Sequence, residues 1–144
     1  LCTFSDHTVS YYDANGKPVS GWVKDKGKTY HFNSKHLMQT GWQDFGGKRY
    51  YFASSGVMQT GWIKVGNNWY YLNSDGIMQT GWVKDDGNWY YMDLETGALF
   101  TGWHEIGGKW YYFHEEGDGF KGTLMVDCVT PDGYTVDVNG ALVE

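Results

Sequence analysis

A repeat of about 20 residues constrains this chain more than any other feature of its sequence. Five Gly-Trp pairs occur, and their tryptophans are spaced 20, 20, 20 and 21 residues apart: Trp22, Trp42, Trp62, Trp82 and Trp103. The pentapeptide MQTGW recurs unchanged at 38–42, 58–62 and 78–82. A period this short indicates small supersecondary units that bury a core only when they stack on one another. The chain is therefore predicted to be a single elongated array of repeats.

Each repeat has the sequence pattern of a β-hairpin. A two-residue turn signal separates two short runs in every copy: Lys26-Gly27, Gly46-Gly47, Gly66-Asn67, Asp86-Gly87 and Gly107-Gly108. These residue types tolerate the positive φ angles of a type I′ hairpin turn. A polar loop such as 73–76 follows the second run. We predict an all-β solenoid of stacked β-hairpin repeats.

The hairpin that turns at Gly66-Asn67 has two chemically different faces. Antiparallel register puts Lys64 opposite Trp69, and alternation then separates Trp62, Lys64, Trp69 and Tyr71 from Ile63, Val65, Tyr70 and Leu72. We assign the aliphatic face to the core and the tryptophan face to a ligand groove. The structural alternative is that the tryptophans only pack one hairpin on the next. Their repetition in pairs favours an aromatic box, which suits a quaternary ammonium ion because that ion has no N–H to satisfy.

The motif GW…WYYLNSDGIMQTG, with MQTGW joining successive copies, resembles the choline-binding repeats of pneumococcal-type surface proteins and lysins. The resemblance covers roughly Val9 to Gly122. It implies a left-handed superhelix of β-hairpins in a secreted protein at the bacterial cell surface. It also implies that the module binds choline or phosphocholine of teichoic or lipoteichoic acid through cation–π cages and so holds its parent protein on the wall.

The resemblance further implies which residues form the sites. In this family a site combines both tryptophans of one repeat, an aromatic residue of the next and often the intervening methionine. The positions that match form one complete site, Trp62, Trp69, Tyr91 and Met78, and a second, Trp82, Trp89, Tyr112 and Leu99, in which Leu99 replaces the methionine. Either tyrosine of each pair could serve, and the register favours the second. Partial sites are expected at Trp42 with Tyr71 and at Trp103 with Trp110, whose third aromatic residue is not identified.

Two repeats depart from the cage pattern. Thr29 stands at the second tryptophan place of the repeat that begins at Gly21, and Arg49 stands there in the next repeat. Arg49 would put a positive charge where a cation should dock. We therefore expect Trp22 and Trp42 to be mainly structural.

The two ends differ from the repeats between them. We predict an N-terminal cap or truncated repeat at 1–20, five repeats at 21–122 and a divergent C-terminal hairpin or cap at 123–144, and we interpret the chain as part of a larger secreted protein. The apolar residues Leu124, Met125, Val126 and Val129 either pack this cap or form a homodimer interface. Cys2 and Cys128 lie near opposite ends of the array, so we predict no disulfide between them, because a disulfide needs Cα atoms within about 7 Å.

Composition and motifs argue against several other functions. The net charge is −6 and no basic cluster is present, so nucleic acid is an improbable partner. No stretch is long and apolar enough to span a membrane. His31, His36, His104 and His114 lack other ligands at metal-binding spacing, and no cofactor is expected. The carboxylates cluster in turns and no nucleophile triad is present, so the chain is predicted not to be an enzyme, and any catalytic domain would lie outside it.

Two alternatives to choline binding stay open at this point. The segment 46–56, GGKRYYFASSG, is closer to aromatic repeats that bind glycans in glucosyltransferases and clostridial toxins. Sugar binding uses one flat ring with polar neighbours, whereas choline needs an apolar box, and the paired tryptophans favour choline. The other alternative is a protein-interaction surface or spacer, which would survive the loss of choline binding.

Overall fold

The computed structural model describes residues 2–3, 9–115 and 121–143, with side chains from residue 11 onward. Every helix or strand in these ranges is a β-strand. The chain divides into two compact units. The first comprises Leu1–Ile63 with Leu72–Met78, and the second comprises Lys64–Tyr71 with Gln79–Glu144.

Fourteen short strands follow one another along the chain. They are β1 (Cys2–Thr3), β2 (Val9–Ser10), β3 (Gly21–Asp25), β4 (Lys28–Phe32), β5 (Gly41–Phe45), β6 (Lys48–Phe52), β7 (Gly61–Val65), β8 (Asn68–Leu72), β9 (Gly81–Asp85), β10 (Asn88–Met92), β11 (Gly102–Ile106), β12 (Lys109–Phe113), β13 (Cys128–Val129) and β14 (Thr135–Val136). Consecutive strands pair as two-stranded sheets. The predicted all-β class of stacked hairpin repeats is confirmed.

Four of the predicted hairpin turns, at 26–27, 46–47, 86–87 and 107–108, have the positive φ angles of a type I′ turn at both central residues. Both central residues have positive φ angles in the first full repeat, with 52° at Lys26 and 81° at Gly27. The same holds for Asp86 at 51° and Gly87 at 80°. The twist of this turn type matches that of the two flanking strands, so strands of only five residues can pair without a longer loop.

The register within the hairpins also follows the prediction. In the β9–β10 pair, Trp89 lies opposite Lys84 and Tyr91 lies opposite Trp82. On the other face Tyr90 is buried, as the assignment of that face to the core requires. Tyr91 is buried as well, with 8% of its surface exposed, although it shares the tryptophan face. Both faces of this hairpin therefore contribute to packing.

In every full repeat the last residue of the second strand is fully buried in the core. These residues are Phe32, Phe52, Leu72, Met92 and Phe113, and each has 0% of its surface exposed. Each also forms an isolated antiparallel bridge with an apolar residue in the junction that follows, as Phe113 does with Leu124. The 20-residue period thus places one large apolar side chain at the same point of every step.

Backbone hydrogen bonds tie each junction to the hairpin before the one it follows. In the first unit the Met58 amide donates to the Thr29 carbonyl oxygen, and in the second the Leu124 amide donates to the Trp89 carbonyl oxygen, both at 2.8 Å. Each junction residue has a single backbone N–H, and its hydrogen bond to one particular carbonyl oxygen fixes how far successive hairpins are displaced from one another. They determine which side chains of neighbouring repeats meet.

The chain ends carry shorter elements. At the C-terminal end β13 pairs with β14, and Thr130 beside them is buried. Cys128 is a half-buried free thiol, while the side chain of Cys2 lies outside the described residues, so the prediction about a disulfide stays a prediction. Within the described ranges, no helix has the length and apolar character needed to cross a membrane.

Candidate aromatic groove sites

The tryptophan face of one hairpin packs against the opposite face of the next hairpin. Trp82 of β9 lies 5.1 Å from Tyr111 and 5.9 Å from Phe113, measured between ring centroids, and these two residues alternate along β12. The first unit repeats this contact, with Trp22 of β3 lying 5.0 Å from Tyr50 of β6. This face-to-back packing sets the residues around Trp22 in the first unit and around Trp82 in the second.

The Trp82 groove is a cavity of about 410 Å³ in the second unit, lined by Trp82, Trp89, Tyr111, Leu124, Val126, Val138 and Asn139. The rings of Trp82 and Trp89 are 6.2 Å apart and nearly perpendicular, at 88°. Both side chains remain partly exposed, at 38% and 42%. Two aromatic walls at a right angle, a third from Tyr111 and an apolar floor form an open box for a compact apolar cation.

The Trp82 groove contains two of the four residues predicted for it. Tyr112 instead lies beside Trp103, its cross-strand partner, at 5.2 Å, and its hydroxyl donates to Glu115. Tyr111 lines the groove because the tryptophan face meets the opposite face of the next hairpin. The prediction used the register within one hairpin, which does not determine the face that the next hairpin presents, so the role of Tyr112 in ligand binding stays a prediction.

The junction residue of this groove also differs from the prediction. Leu124 lines it, whereas the Leu99 amide donates to the Trp69 carbonyl oxygen at 2.9 Å, the bond that Leu124 makes with Trp89. Leu99 therefore occupies, relative to Trp69, the position that Leu124 occupies relative to Trp89. The residue that closes a groove comes after the next hairpin, rather than from the junction directly after the two tryptophans.

A second cavity, the Trp103 groove, follows the same plan at the C-terminal end. It measures about 420 Å³ and is lined by Trp103, Trp110, Asp132, Tyr134 and Leu142. The ring of Tyr134 lies 5.8 Å from that of Trp103, at 89°. The Leu142 amide donates to the Trp110 carbonyl oxygen at 2.8 Å, like the other junction residues.

Tyr134 is the third aromatic residue that the sequence did not identify for Trp103 and Trp110. It stands two residues before the buried Val136, as Tyr111 stands two residues before the buried Phe113. The sequence feature that could have identified Tyr134 is its position, which corresponds to that of the first tyrosine in each repeat. The segment around it otherwise diverges from the repeats.

Asp132 gives the Trp103 groove a negative charge. The Trp103 indole N–H donates to Asp132 Oδ2 at 2.8 Å, and the Thr130 hydroxyl donates to Asp132 Oδ1. The hydrogen bond from Thr130 and then that from Trp103 hold the pKa of the Asp132 carboxyl below its usual value. The side chain is consequently ionised at neutral pH.

A cation already lies over one ring of the Trp82 groove. Lys84 Nζ is 5.8 Å from the centroid of the Trp89 ring. This distance is within the range of a cation–π contact, although its energy at an exposed site is only about 0.5–1 kcal/mol. The contact is an example, within the molecule itself, of the attraction on which a choline cage depends.

The two degenerate repeats have different surroundings. Trp22 packs against His31 at 4.9 Å and Phe45 at 5.4 Å in addition to Tyr50. Arg49 forms an ion pair with Asp44, with 2.8 Å between Nε and Oδ1. The hydrogen bond from this guanidinium lowers the pKa of Asp44.

The remaining predicted residues fall in both units. Trp42 lies 4.9 Å from Tyr51, and the Met78 amide donates to the Arg49 carbonyl oxygen. Trp62 belongs to the first unit with these residues, whereas Trp69, Tyr71 and Tyr91 belong to the second. Tyr91 packs against Trp82 of its own hairpin at 5.1 Å, and the Tyr71 carbonyl oxygen accepts a hydrogen bond from Gln79.

This arrangement of tandem hairpins with aromatic grooves agrees with a comparison to known families. The model of the choline-binding repeat matches residues 19–58, 39–73, 59–101 and 100–130. The chain belongs to the choline-binding repeat family. Choline-binding repeat proteins are cell-wall-associated surface proteins, and the repeat module is a binding domain rather than a catalytic one.

Solved structures of two Streptococcus pneumoniae proteins are similar over nearly the whole chain. Choline binding protein F, crystallised with a peptidoglycan analogue, is 45% identical with a TM-score of 0.86, over 94% of this chain and 43% of that one. CbpJ is 40% identical with a TM-score of 0.88, over 96% and 46%. The chain therefore spans less than half the length of these relatives.

A third solved structure is more distantly similar. Alternansucrase in complex with isomaltononaose is 27% identical with a TM-score of 0.52, over 99% of this chain and 11% of that one. Among curated proteins the chain has no match.

Proposed function

We propose that this chain is a choline-binding module that attaches its parent protein non-covalently to choline-decorated teichoic or lipoteichoic acid of a bacterial cell wall. The observation that carries the proposal is the Trp82 groove, where two perpendicular tryptophans and Tyr111 surround an open apolar space. Secretion of the parent protein is part of the same proposal, since the polymer lies outside the cell.

The chemistry of the groove suits a trimethylammonium group. That group carries a full positive charge, has no N–H to satisfy and presents an apolar surface of methyl groups on every side. Trp82, Trp89 and Tyr111 offer ring faces or edges from three directions, and Leu124 adds apolar contact. A primary ammonium would find no charged acceptor among the lining side chains, whose one amide is that of Asn139, and would replace few of its hydrogen bonds to water.

The weak affinity of a single groove explains why several grooves are needed. One cation–π contact contributes about 0.5–2 kcal/mol, so a three-sided cage has a dissociation constant on the order of millimolar. A single site of that strength would hold a protein on a wall poorly. Several grooves on one array, binding a polymer with many cholines, gain retention through effective concentration.

The proposed sites follow the plan of the two described grooves. They are Trp82, Trp89, Tyr111 and Leu124, and then Trp103, Trp110, Tyr134 and Leu142. Trp62, Trp69, Tyr91 and Met78, matched by sequence, stay proposed as a further site. Trp42 and Tyr71 stay proposed as a partial site.

Glycan binding is the second candidate function. It is supported by the likeness to alternansucrase, whose structure was determined with isomaltononaose. The Trp82 groove favours it less, because the side chains that join the rings there include Leu124, Val126 and Val138 rather than several hydroxyl-binding groups. Sugar oligomers therefore belong in any test as the competing ligand.

A homodimer through the C-terminal hairpin is a further part of the proposal. Large apolar side chains are exposed there: Val126, Val129, Tyr134, Val138 and Val143. Sedimentation of the chain with and without choline distinguishes a dimer from a monomer. Dissociation of the dimer by Val129→Glu would assign the interface to this end.

Trp69→Ala is expected to reduce retention on a column of immobilised choline, because it removes one ring of a proposed cage. Trp22→Ala is the matched control, since Thr29 leaves that repeat without its second tryptophan. We expect the control to lower thermal stability and to elute at nearly the same free choline concentration as the unmodified chain. Equal losses of retention in both variants, at equal stability, would show that the sites are misassigned.

A further inference from the structure

We propose that the Trp103 groove selects organic ammonium ions that carry at least one N–H, with Asp132 as the hydrogen-bond acceptor. This inference rests on the proposed function, because it assumes that the aromatic grooves bind organic cations. It adds a difference between grooves of the same array, in which the Trp82 groove prefers a quaternary ion and the Trp103 groove a protonated amine.

The difference comes from the groove walls. Asp132 lines the Trp103 groove together with Trp103, Trp110 and Tyr134. Among the described residues that line the Trp82 groove, none carries a carboxylate. The two grooves therefore share aromatic walls and an apolar junction residue, while only the Trp103 groove adds a charged acceptor to them.

The carboxylate is held in a fixed orientation. Trp103 donates its indole N–H to one oxygen of Asp132, and Thr130 donates its hydroxyl to the other. Thr130 itself is buried, with 3% exposed, and its oxygen accepts the Tyr134 amide at 3.1 Å. The same threonine thus positions both the acceptor and one aromatic wall.

Asp132 keeps capacity for a ligand after these bonds are made. An ionised carboxylate offers about four lone-pair positions. The two internal hydrogen bonds use one on each oxygen. An ammonium N–H can occupy a remaining position, and such a charge-assisted bond is stronger than one between neutral groups.

The two kinds of cation experience the grooves differently. A quaternary ion gains Coulomb attraction from Asp132 but donates no hydrogen bond to it. A protonated tertiary or primary amine gains both, and the bond to Asp132 replaces the one that the amine gave to water. The Trp82 groove offers that N–H no carboxylate and only the neutral amide of Asn139, which penalises the amine relative to choline.

Choline and protonated N,N-dimethylethanolamine provide the test, since the second ion has a proton where choline has one methyl group. The indole N–H signals of the full chain, assigned in proton–nitrogen NMR spectra, report each groove separately. Trp103 is a direct reporter because its N–H is bonded to Asp132. Trp89 reports the Trp82 groove. Titration with each ion then yields a ratio of dissociation constants for each groove.

We expect dimethylethanolamine to bind the Trp103 groove roughly two- to fivefold more tightly than choline, which is within the range for the net contribution of one hydrogen bond. At Trp89 we expect the opposite order. Asp132→Asn is the matched variant, because its amide oxygen can still accept the Trp103 N–H while the charge is lost. It should abolish the preference at Trp103 and leave both dissociation constants at Trp89 unchanged.

Several results would overturn the inference. One is an equal ratio of the two dissociation constants at Trp103 and at Trp89 in the unmodified chain. An unchanged ratio at Trp103 in Asp132→Asn would also do so, as would a Trp103 signal that neither ion shifts while Trp89 responds to choline. If choline shifts neither signal, the proposed choline function itself fails, and a response of Trp103 to dimethylethanolamine alone would still support the role of Asp132.

Discussion

Trp89→Ala is expected to weaken choline binding in the Trp82 groove by about tenfold, because it removes one aromatic wall worth up to about 2 kcal/mol. We expect the substitution to affect ligand binding strongly and folding stability little. Its side chain is 42% exposed, and its ring lies 6.2 Å from that of Trp82. Titration of the Trp82 indole signal with choline measures the affinity of this groove directly.

Trp89→Phe is the control for this experiment. It keeps an aromatic face in the same place and should lose only about threefold in affinity, because phenylalanine presents a weaker π-face than tryptophan. A Trp89→Ala variant that binds choline at the Trp82 groove with unchanged affinity would show that the two tryptophans are packing residues. In that case the structural alternative would be correct for this repeat.

Gly56→Ala is expected to lower the free energy of unfolding by about 2–5 kcal/mol, combining left-handed backbone strain with overpacking. Gly56 has a φ angle of 87°, a region that residues with a side chain avoid. A Cβ atom at this position would lie 2.2 Å from Met38 Sδ and 2.8 Å from Met38 Cγ. The backbone bridge between Met38 and the buried Phe32 holds the Met38 Cα in place, so the half-buried Met38 side chain must change rotamer to admit the Cβ atom.

Gly16→Ala separates the two contributions. Gly16 has a similar φ angle of 77°, but a Cβ atom there would have no neighbour within 4 Å. We expect this control to cost only the backbone strain, about 1–2 kcal/mol. Urea unfolding of both variants, followed by tryptophan fluorescence, gives the comparison. Equal losses of stability would mean that the contact between Gly56 and Met38 contributes nothing to the stacking of repeats.

The sequence was sufficient to predict the hairpins because their determinants are local. The pair Asp86-Gly87 specifies a turn, and the turn sets the register that puts Trp89 opposite Lys84. Burial of Tyr90 then follows from the alternation along a strand. Each of these steps concerns residues within one copy of the repeat, where the period makes the pattern unmistakable.

The third wall of each groove depends instead on how one hairpin meets the next. Nothing within a hairpin decides whether Tyr111 or Tyr112 lies beside the preceding tryptophan. The decision comes from face-to-back packing, which the Leu124 amide fixes by its bond to the Trp89 carbonyl oxygen. This bond joins residues 35 positions apart, and the 20-residue repeat pattern does not predict it.

The third aromatic residue of the Trp103 groove was not identified for a different reason. Tyr134 keeps the place of a repeat tyrosine, but no Gly-Trp pair precedes it, so the segment was interpreted as a cap. The role of Asp132 could not be predicted at all, because it depends on the distance to the Trp103 indole, which lies 29 residues earlier. Divergence from the repeat concealed a groove built on the same plan.

Titration of tryptophan fluorescence in the intact chain with choline, tetramethylammonium and isomalto-oligosaccharides tests the central claim most directly. The account predicts saturable changes at millimolar concentrations of both cations and none with the sugars, because the Trp82 groove recognises charge and methyl surface rather than hydroxyl groups. A saturable response to the sugars with none to either cation would contradict it. The grooves would then be stacking platforms for a glycan.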